Sequence, residues 1–219
     1  MAATVHVAYL FDPLCGWCYG ASTMLEQLVA RPEFAIDLIA PGLFAGDGAR
    51  PMDDGFAAFA WDNDQRISRL SGQPFTEAYR QNVLGDRTRL FDSGPATLAL
   101  TAVAATAPDR EFETLKAIQR ARYVNGDDIT DVSALTDVLR ALGLRKAADL
   151  LATPDDDLVA NYRKRTEAGR EAMRHFGADG VPALIAGDGE MRRLVPGNAL
   201  FGSHDVLVAR LKGLSFAAT

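Results

Sequence analysis

The chain has 219 residues, enough for one large domain or a domain carrying an inserted second one, and it can bury a full core without disulfide staples. With 48% hydrophobic and 24% charged residues its composition is that of an ordinary globular protein, which excludes long disorder. A formal net charge of −6 leaves no basic excess to displace counterions from a phosphate backbone, so nucleic acid is not an expected partner.

The N-terminus runs from Met1 through Ala2-Ala3 almost straight into an apolar stretch, with no basic n-region, h-region or cleavage site, and a cytosolic protein is expected. Thr4 to Phe11 is short and rich in β-branched and aromatic residues, which predicts a largely buried strand. Next come the only two cysteines, in Cys15-Gly16-Trp17-Cys18. Ala21, Met24, Leu25, Leu28 and Val29 then recur at helical spacing until Arg31-Pro32. Cys15 is thus expected near the first turn of a helix, where unpaired N–H groups and the helix dipole favour thiolate over thiol. Cys18, one turn on and on the same face, can reach back and resolve a mixed disulfide.

Phe34 to Ala40 predicts a second strand ending at Pro41-Gly42, so the chain opens β-α-β, with the two strands parallel across a right-handed crossover. Gly42 to Pro51 is loop-like, and its glycines are too irregular for a phosphate-binding fingerprint. From Asp53 to His175 the pattern is helical with no convincing strand. Ser93-Gly94-Pro95 starts one helix, and Asp109 is expected to cap the next, which reaches about Val124. Leu135, Val138, Leu139 and Leu142 form a further stripe, then a short helix covers 144–151, and Thr153-Pro154 opens a long one ended by Gly177. These stripes are read as packing. The most apolar stretch, Ala96 to Ala107, is far too short to span a membrane, and no membrane partner is expected. Arg163-Lys164-Arg165 follows Asp155-Asp156-Asp157 and is read as a solvated helix face.

The period changes again at Val181 to Ala186, a strand, followed by a tight turn at Gly187-Asp188-Gly189 and a returning strand from Met191 to Val195. A final helix, capped by Ser203 or Asp205, is expected to end at Gly213. The predicted architecture is α/β, a mixed sheet of β-α-β then β-hairpin-α interrupted by helices. Residues 1–50 and 177–219 would form the sheet domain, and 51–176 the helical insertion with its return helix.

Two plainer readings of the cysteines stand beside redox chemistry. They could be inert core residues, or half of a metal site. A structural zinc site needs four ligands, and the remaining candidates His6, His175 and His204 are scattered and lack finger spacing. In a reducing compartment a lone cysteine pair is more often catalytic or redox-sensing than structural. No metal or bound organic cofactor is required by the redox reading.

With its Cys15-Gly16-Trp17-Cys18 pair after the first strand, its Gly180-Val181-Pro182 before the hairpin and helices between, nearly the whole chain resembles the DsbA-like thioredoxin family. Gly72-Gln73-Pro74-Phe75 and Asp92-Ser93-Gly94-Pro95-Ala96 are similar to its cytosolic, FrnE-like branch. The resemblance implies a thioredoxin-like fold and a protein disulfide oxidoreductase or isomerase, with Cys15 as nucleophile and Cys18 as resolving thiol. It also implies that Pro182 is cis beside the cysteines and that Val181 pairs through its backbone with an extended substrate, a form of strand addition. Trp17 is a candidate apolar surface for substrates, or else a cap on the helix–sheet core. The implied partners are protein or peptide thiols and disulfides, with glutathione a further candidate. Many thioredoxin-like proteins keep a buried acid six residues before the first cysteine, whereas this chain has Tyr9 there. Asp12 is nearer and could move the proton, although Asp12-Pro13 also reads as a turn former. Two other functions are carried: a glutathione-dependent transferase or isomerase of the kappa or hydroxychromene-carboxylate type, in which the first catalytic position is generally serine, and a peptide-binding or chaperone-like module.

Overall fold

A computed structural model describes residues 4–216. Residues 1–3, expected to lead straight into the first strand, lie outside it. A four-stranded mixed sheet has the order β2-β1-β5-β6. β1 (Val5–Leu10) and β2 (Phe34–Ile39) are parallel in the register Val5 to Phe34 through Leu10 to Ile39. β5 (Ala183–Ala186) runs antiparallel to β1, and β6 (Arg193–Pro196) runs antiparallel to β5.

Strand alternation divides β1 between two cores. Val5, Val7 and Tyr9 face the larger one, with Leu25 and Leu28 of α2 (Ser22–Val29) and Leu207 and Leu211 of α10 (His204–Phe216). Ala8 and Leu10 join Ala183 and Ile185 on the other face, covered by Ala172, Met173 and Phe176 near the end of α9 (Asp156–Phe176). With both faces buried from Val7 to Leu10, β1 reads as a nearly continuous apolar run, interrupted only by the exposed His6 near its start.

The segment that follows Cys15 is two helices, α1 (Gly16–Gly20), which contains Cys18, and α2, with Ala21 between them still in helical conformation. Between the two halves of the sheet lie α3 (Asp54–Ser71), α4 (Glu77–Asn82), α5 (Gly94–Thr106), α6 (Glu111–Arg120), α7 (Val132–Ala141) and α8 (Arg145–Ala152). Their buried residues belong to the same cluster as Val7 and Tyr9 of the sheet, so the helices pack as a continuation of the sheet's core.

Five local expectations change. Asp109 does not cap α6: it lies in a 3-10 turn, Pro108–Arg110, and α6 begins at Glu111 without a side-chain cap, because Pro108 initiates the tighter turn first. The helical region contains a two-residue strand, β4 (Leu90–Phe91), paired with β3 (Arg50–Pro51), too short to leave any periodicity in the sequence. The hairpin turn is longer than three residues, since a 3-10 turn at Gly189–Met191 delays β6 to Arg193. α10 passes through Gly213 to Phe216, as a helical glycine costs only about 1 kcal/mol against alanine. Within the basic run, Arg163 and Lys164 are exposed, but Arg165 turns inward to pair with Glu111.

Candidate active site

The site is assembled where the end of β1 meets the start of β5. Asp12 makes the turn that delivers the cysteines. Its carboxylate accepts from the Leu14 amide (2.9 Å), the Ser93 hydroxyl (2.8 Å) and the Phe44 amide (3.3 Å), and its carbonyl accepts from the Cys15 amide (3.0 Å). Burial outweighs these donors and lifts its pKa to about 6. Of the two sequence alternatives, turn former or proton-moving acid, the hydrogen bonds to Leu14 and Cys15 show the turn former, made by a buried carboxyl.

Cys15 occupies the N-cap of α1, and its sulfur accepts from the Cys18 amide at 3.3 Å. The two thiols are free, and they differ in access: Cys15 is 7% exposed and Cys18 is 1% exposed. Burial, then the Cys15 sulfur, pushes the Cys18 thiol well up, partly countered by a hydrogen bond from the Asp12 amide. Opposite them the Val181–Pro182 peptide bond is cis, and the Cys15 thiol donates to the Val181 carbonyl at 3.6 Å. The structure therefore brings Cys15, Cys18 and Val181 together, with Pro182 buried directly behind. Gly197 backs the same segment, since a methyl group there would lie 2.0 Å from the Pro182 carbonyl oxygen.

Trp17 is half-buried, edge-on to Phe201 at 5.2 Å, with the Arg66 guanidinium 5.7 Å from its ring. It packs on the core as a cap would. Tyr9, in the place of the family's acid, is fully buried and donates from its hydroxyl to the Cys18 carbonyl at 3.4 Å. Burial and the neighbouring sulfurs raise its pKa well above the usual value.

A polar cluster beneath the dithiol loop is absent from the sequence reading. Asp64 of α3 accepts from the Tyr79 hydroxyl at 2.9 Å, and a methyl group on Gly16 would fall 2.3 Å from its carboxylate oxygen. Arg122 and Tyr123 come from a π-helical turn, Ala121–Asn125, and the Tyr123 hydroxyl donates to the Leu14 carbonyl at 2.7 Å. The available signal is a carboxylate inside an apolar stripe, since Ala60, Asp64, Ile67 and Ser71 share one helix face. Among the described residues no group of three or more His, Cys, Asp or Glu could hold a metal ion.

A thioredoxin-like sheet, a dithiol at a helix start and a cis X-Pro opposite it define the class of DsbA-like thiol-disulfide oxidoreductase folds. The DSBA-like thioredoxin domain matches residues 6–208, and the chain belongs to that family. It is similar to the cytosolic disulfide reductase DsbM from Pseudomonas aeruginosa at 30% identity, covering 95% of this chain and 97% of that one with a TM-score of 0.83. The same protein solved with GSH aligns over 95% of this chain and 98% of that one at 30% identity, with a TM-score of 0.77. A 2-hydroxychromene-2-carboxylate isomerase shares the fold at 17% identity over 95% of each chain, with a TM-score of 0.64. No curated protein sequence matches the chain significantly. Among the described residues no helix is long and apolar enough to cross a membrane.

Proposed function

We propose that this protein is a cytosolic dithiol enzyme that reduces disulfides by exchange through Cys15 and Cys18. The observation that carries the reading is the pair itself: a partly accessible Cys15 at a helix N-cap, with a fully buried Cys18 one turn below it. Attack requires the sulfur that a substrate can reach, and resolution requires one that it cannot. Cys15 attacks the substrate disulfide and forms a mixed disulfide; Cys18 then attacks Cys15, releasing the second substrate thiol and leaving Cys15–Cys18 oxidised. Val181 offers its carbonyl, and the half-buried Trp17 its indole, to the substrate segment. Asp12, whose charge acts on the Cys18 thiol, is the acid we assign to accept the Cys18 proton.

The reductive direction and the cytosolic setting are supported by the 30% identity to a protein described as a cytosolic disulfide reductase. Glutathione is proposed as the recycling thiol on the same ground, from the GSH complex of that relative. The chromene-carboxylate isomerase shares only the fold, and Cys18 beneath Cys15 favours redox exchange over that chemistry.

The test is a disulfide reduction assay with Cys15→Ser and Cys18→Ser. Cys15→Ser is expected to abolish turnover, whereas Cys18→Ser with oxidised glutathione is expected to accumulate a glutathione adduct on Cys15, read by intact mass. Full activity in both variants would sink the proposal and leave the binding-module reading in its place.

A further inference from the structure

The exchange reaction as described makes no use of the charged cluster around Asp64. Asp64 is 4% exposed and Arg122 is 1% exposed, a costly pair of groups to bury when apolar residues of similar volume would pack there at least as well. The Arg122 guanidinium carbon lies 5.4 Å from the Tyr79 ring centre and 5.6 Å from that of Tyr123, and its Nε and Nη2 have no hydrogen-bond partner. The cluster touches the dithiol loop on both sides of Cys15. Tyr123 holds the carbonyl of residue 14, and the Asp64 carboxylate lies against residue 16. The Tyr123 hydroxyl is within charge range of both Asp64 and Cys15, which places all three in one electrostatic neighbourhood.

We propose that Asp64 is a positioning residue whose negative charge beside Gly16 sets the reduction potential of the Cys15–Cys18 pair, making it a stronger reductant. The inference rests on the dithiol reading above. Oxidation forms the Cys15–Cys18 bond and breaks the substrate S–S bond; two electrons pass to the substrate sulfurs, which also take up two protons. Thiolate charge on Cys15 exists only in the reduced protein. An anion nearby raises the free energy of that form alone and so favours giving electrons away. Arg122 remains in place when Asp64 is neutralised, so the change is one full charge whatever the offset between the two.

The groups facing Asp64 are Tyr79 from α4 and Arg122 from the π-helical turn, with Tyr123 of the same turn in charge range. Burial raises Tyr79 and Tyr123, and burial lowers Arg122 but the neighbouring tyrosines and Asp64 together raise it on balance, so none of the three titrates between pH 5.5 and 8.5. Tyr79→Phe distinguishes titration of the carboxyl from that of the dithiol, because it alters only the hydrogen bond to Asp64. Asp64 itself is lifted by burial to about 7, inside that window.

The experiment measures the equilibrium constant with glutathione at pH 5.5, 7.0 and 8.5, by trapping free thiols, for the wild type, Asp64→Asn and Tyr79→Phe. Asp64→Asn is expected to shift the constant toward the reduced protein by about tenfold at pH 8.5, equivalent to about 30 mV. At pH 5.5, where the native carboxyl is already protonated, the shift is expected to fall below roughly twofold by the same scale. Tyr79→Phe keeps the carboxylate but removes a donor that favours its charge, so it should move the constant the same way at pH 7.0 and by less at pH 8.5. A wild-type disulfide that Asp64→Asn leaves unmoved, or moves equally at all three pH values, assigns Asp64 to packing and overturns its role alone. If the wild type forms no Cys15–Cys18 disulfide at any glutathione ratio, the oxidoreductase reading falls and this inference with it.

Discussion

Asp12 shows how one residue can carry two demands. Its side chain and carbonyl shape the turn into the cysteines, and its buried carboxylate ties that turn to Phe44 and to Ser93, 81 residues away. Asp12→Ala would strand two amides and a hydroxyl. At about 1–3 kcal/mol for each buried unsatisfied group, partly recovered by relaxation, a loss of about 3 kcal/mol is expected in urea unfolding. Asp12→Asn keeps one acceptor oxygen but turns an amino group toward one of the two amides, so it should lose about half of that. Equal losses in the two variants would mean that charge, and not hydrogen bonding, holds the turn. The sequence could name Asp12 because it sits three residues before Cys15. It could not name Ser93, since nothing local marks which distant hydroxyl a buried carboxylate will meet.

At the scale of elements, the sheet and helix order was legible because β1, β2 and the helical stripes have clean periods and clear breakers. What escaped has no period. β3 and β4 are two residues each, and the π-helical turn that points both Arg122 and Tyr123 inward looks in the sequence like the last turn of α6. The dithiol pair and Val181-Pro182 were legible as motifs, while the Asp64 cluster was not, because it is drawn from three helical segments. The β5–β6 pairing carries a further consequence. Ala183 pairs with Pro196, so Gly197 falls opposite Pro182, and its missing side chain lets that carbonyl approach. The obstruction is backbone and cannot rotate away. Gly197→Ala is expected to cost about 1–3 kcal/mol, the usual range for overpacking, and to slow exchange with peptide disulfides while leaving the glutathione equilibrium constant unchanged. Unaltered peptide kinetics would show that the Val181–Pro182 segment plays no part in substrate binding.

For the whole molecule, the two buried acids set the pH dependence of stability. Asp12 is raised from 3.8 to about 6 and Asp64 from 3.8 to about 7, both chiefly by burial. A carboxyl whose pKa is higher folded than unfolded holds its proton more tightly in the native state. Its contribution is therefore complete below the unfolded value near 4 and is lost as pH rises through the folded value. At about 1.4 kcal/mol per pH unit, Asp12 contributes roughly 3 kcal/mol and Asp64 roughly 4 kcal/mol to this decline. Together they are comparable with a typical total stability of about 5–15 kcal/mol. Glu33 acts in the opposite sense, because its pairing with Arg31 and Lys212 lowers its pKa to about 2. That contribution is present above the unfolded value of 4.5 and lost as pH falls from there toward 2, so it leaves the window from about 5 to 7 untouched. The protein should be most stable near pH 4–5 and lose several kcal/mol by pH 7.5, measured by guanidinium unfolding across that range. The Asp12→Asn, Asp64→Asn double variant should flatten the slope, because neither site then has a proton to lose. A wild-type stability that stays level or rises from pH 4.5 to 7.5 would mean that these carboxylates reach water or pair with cations when ionised.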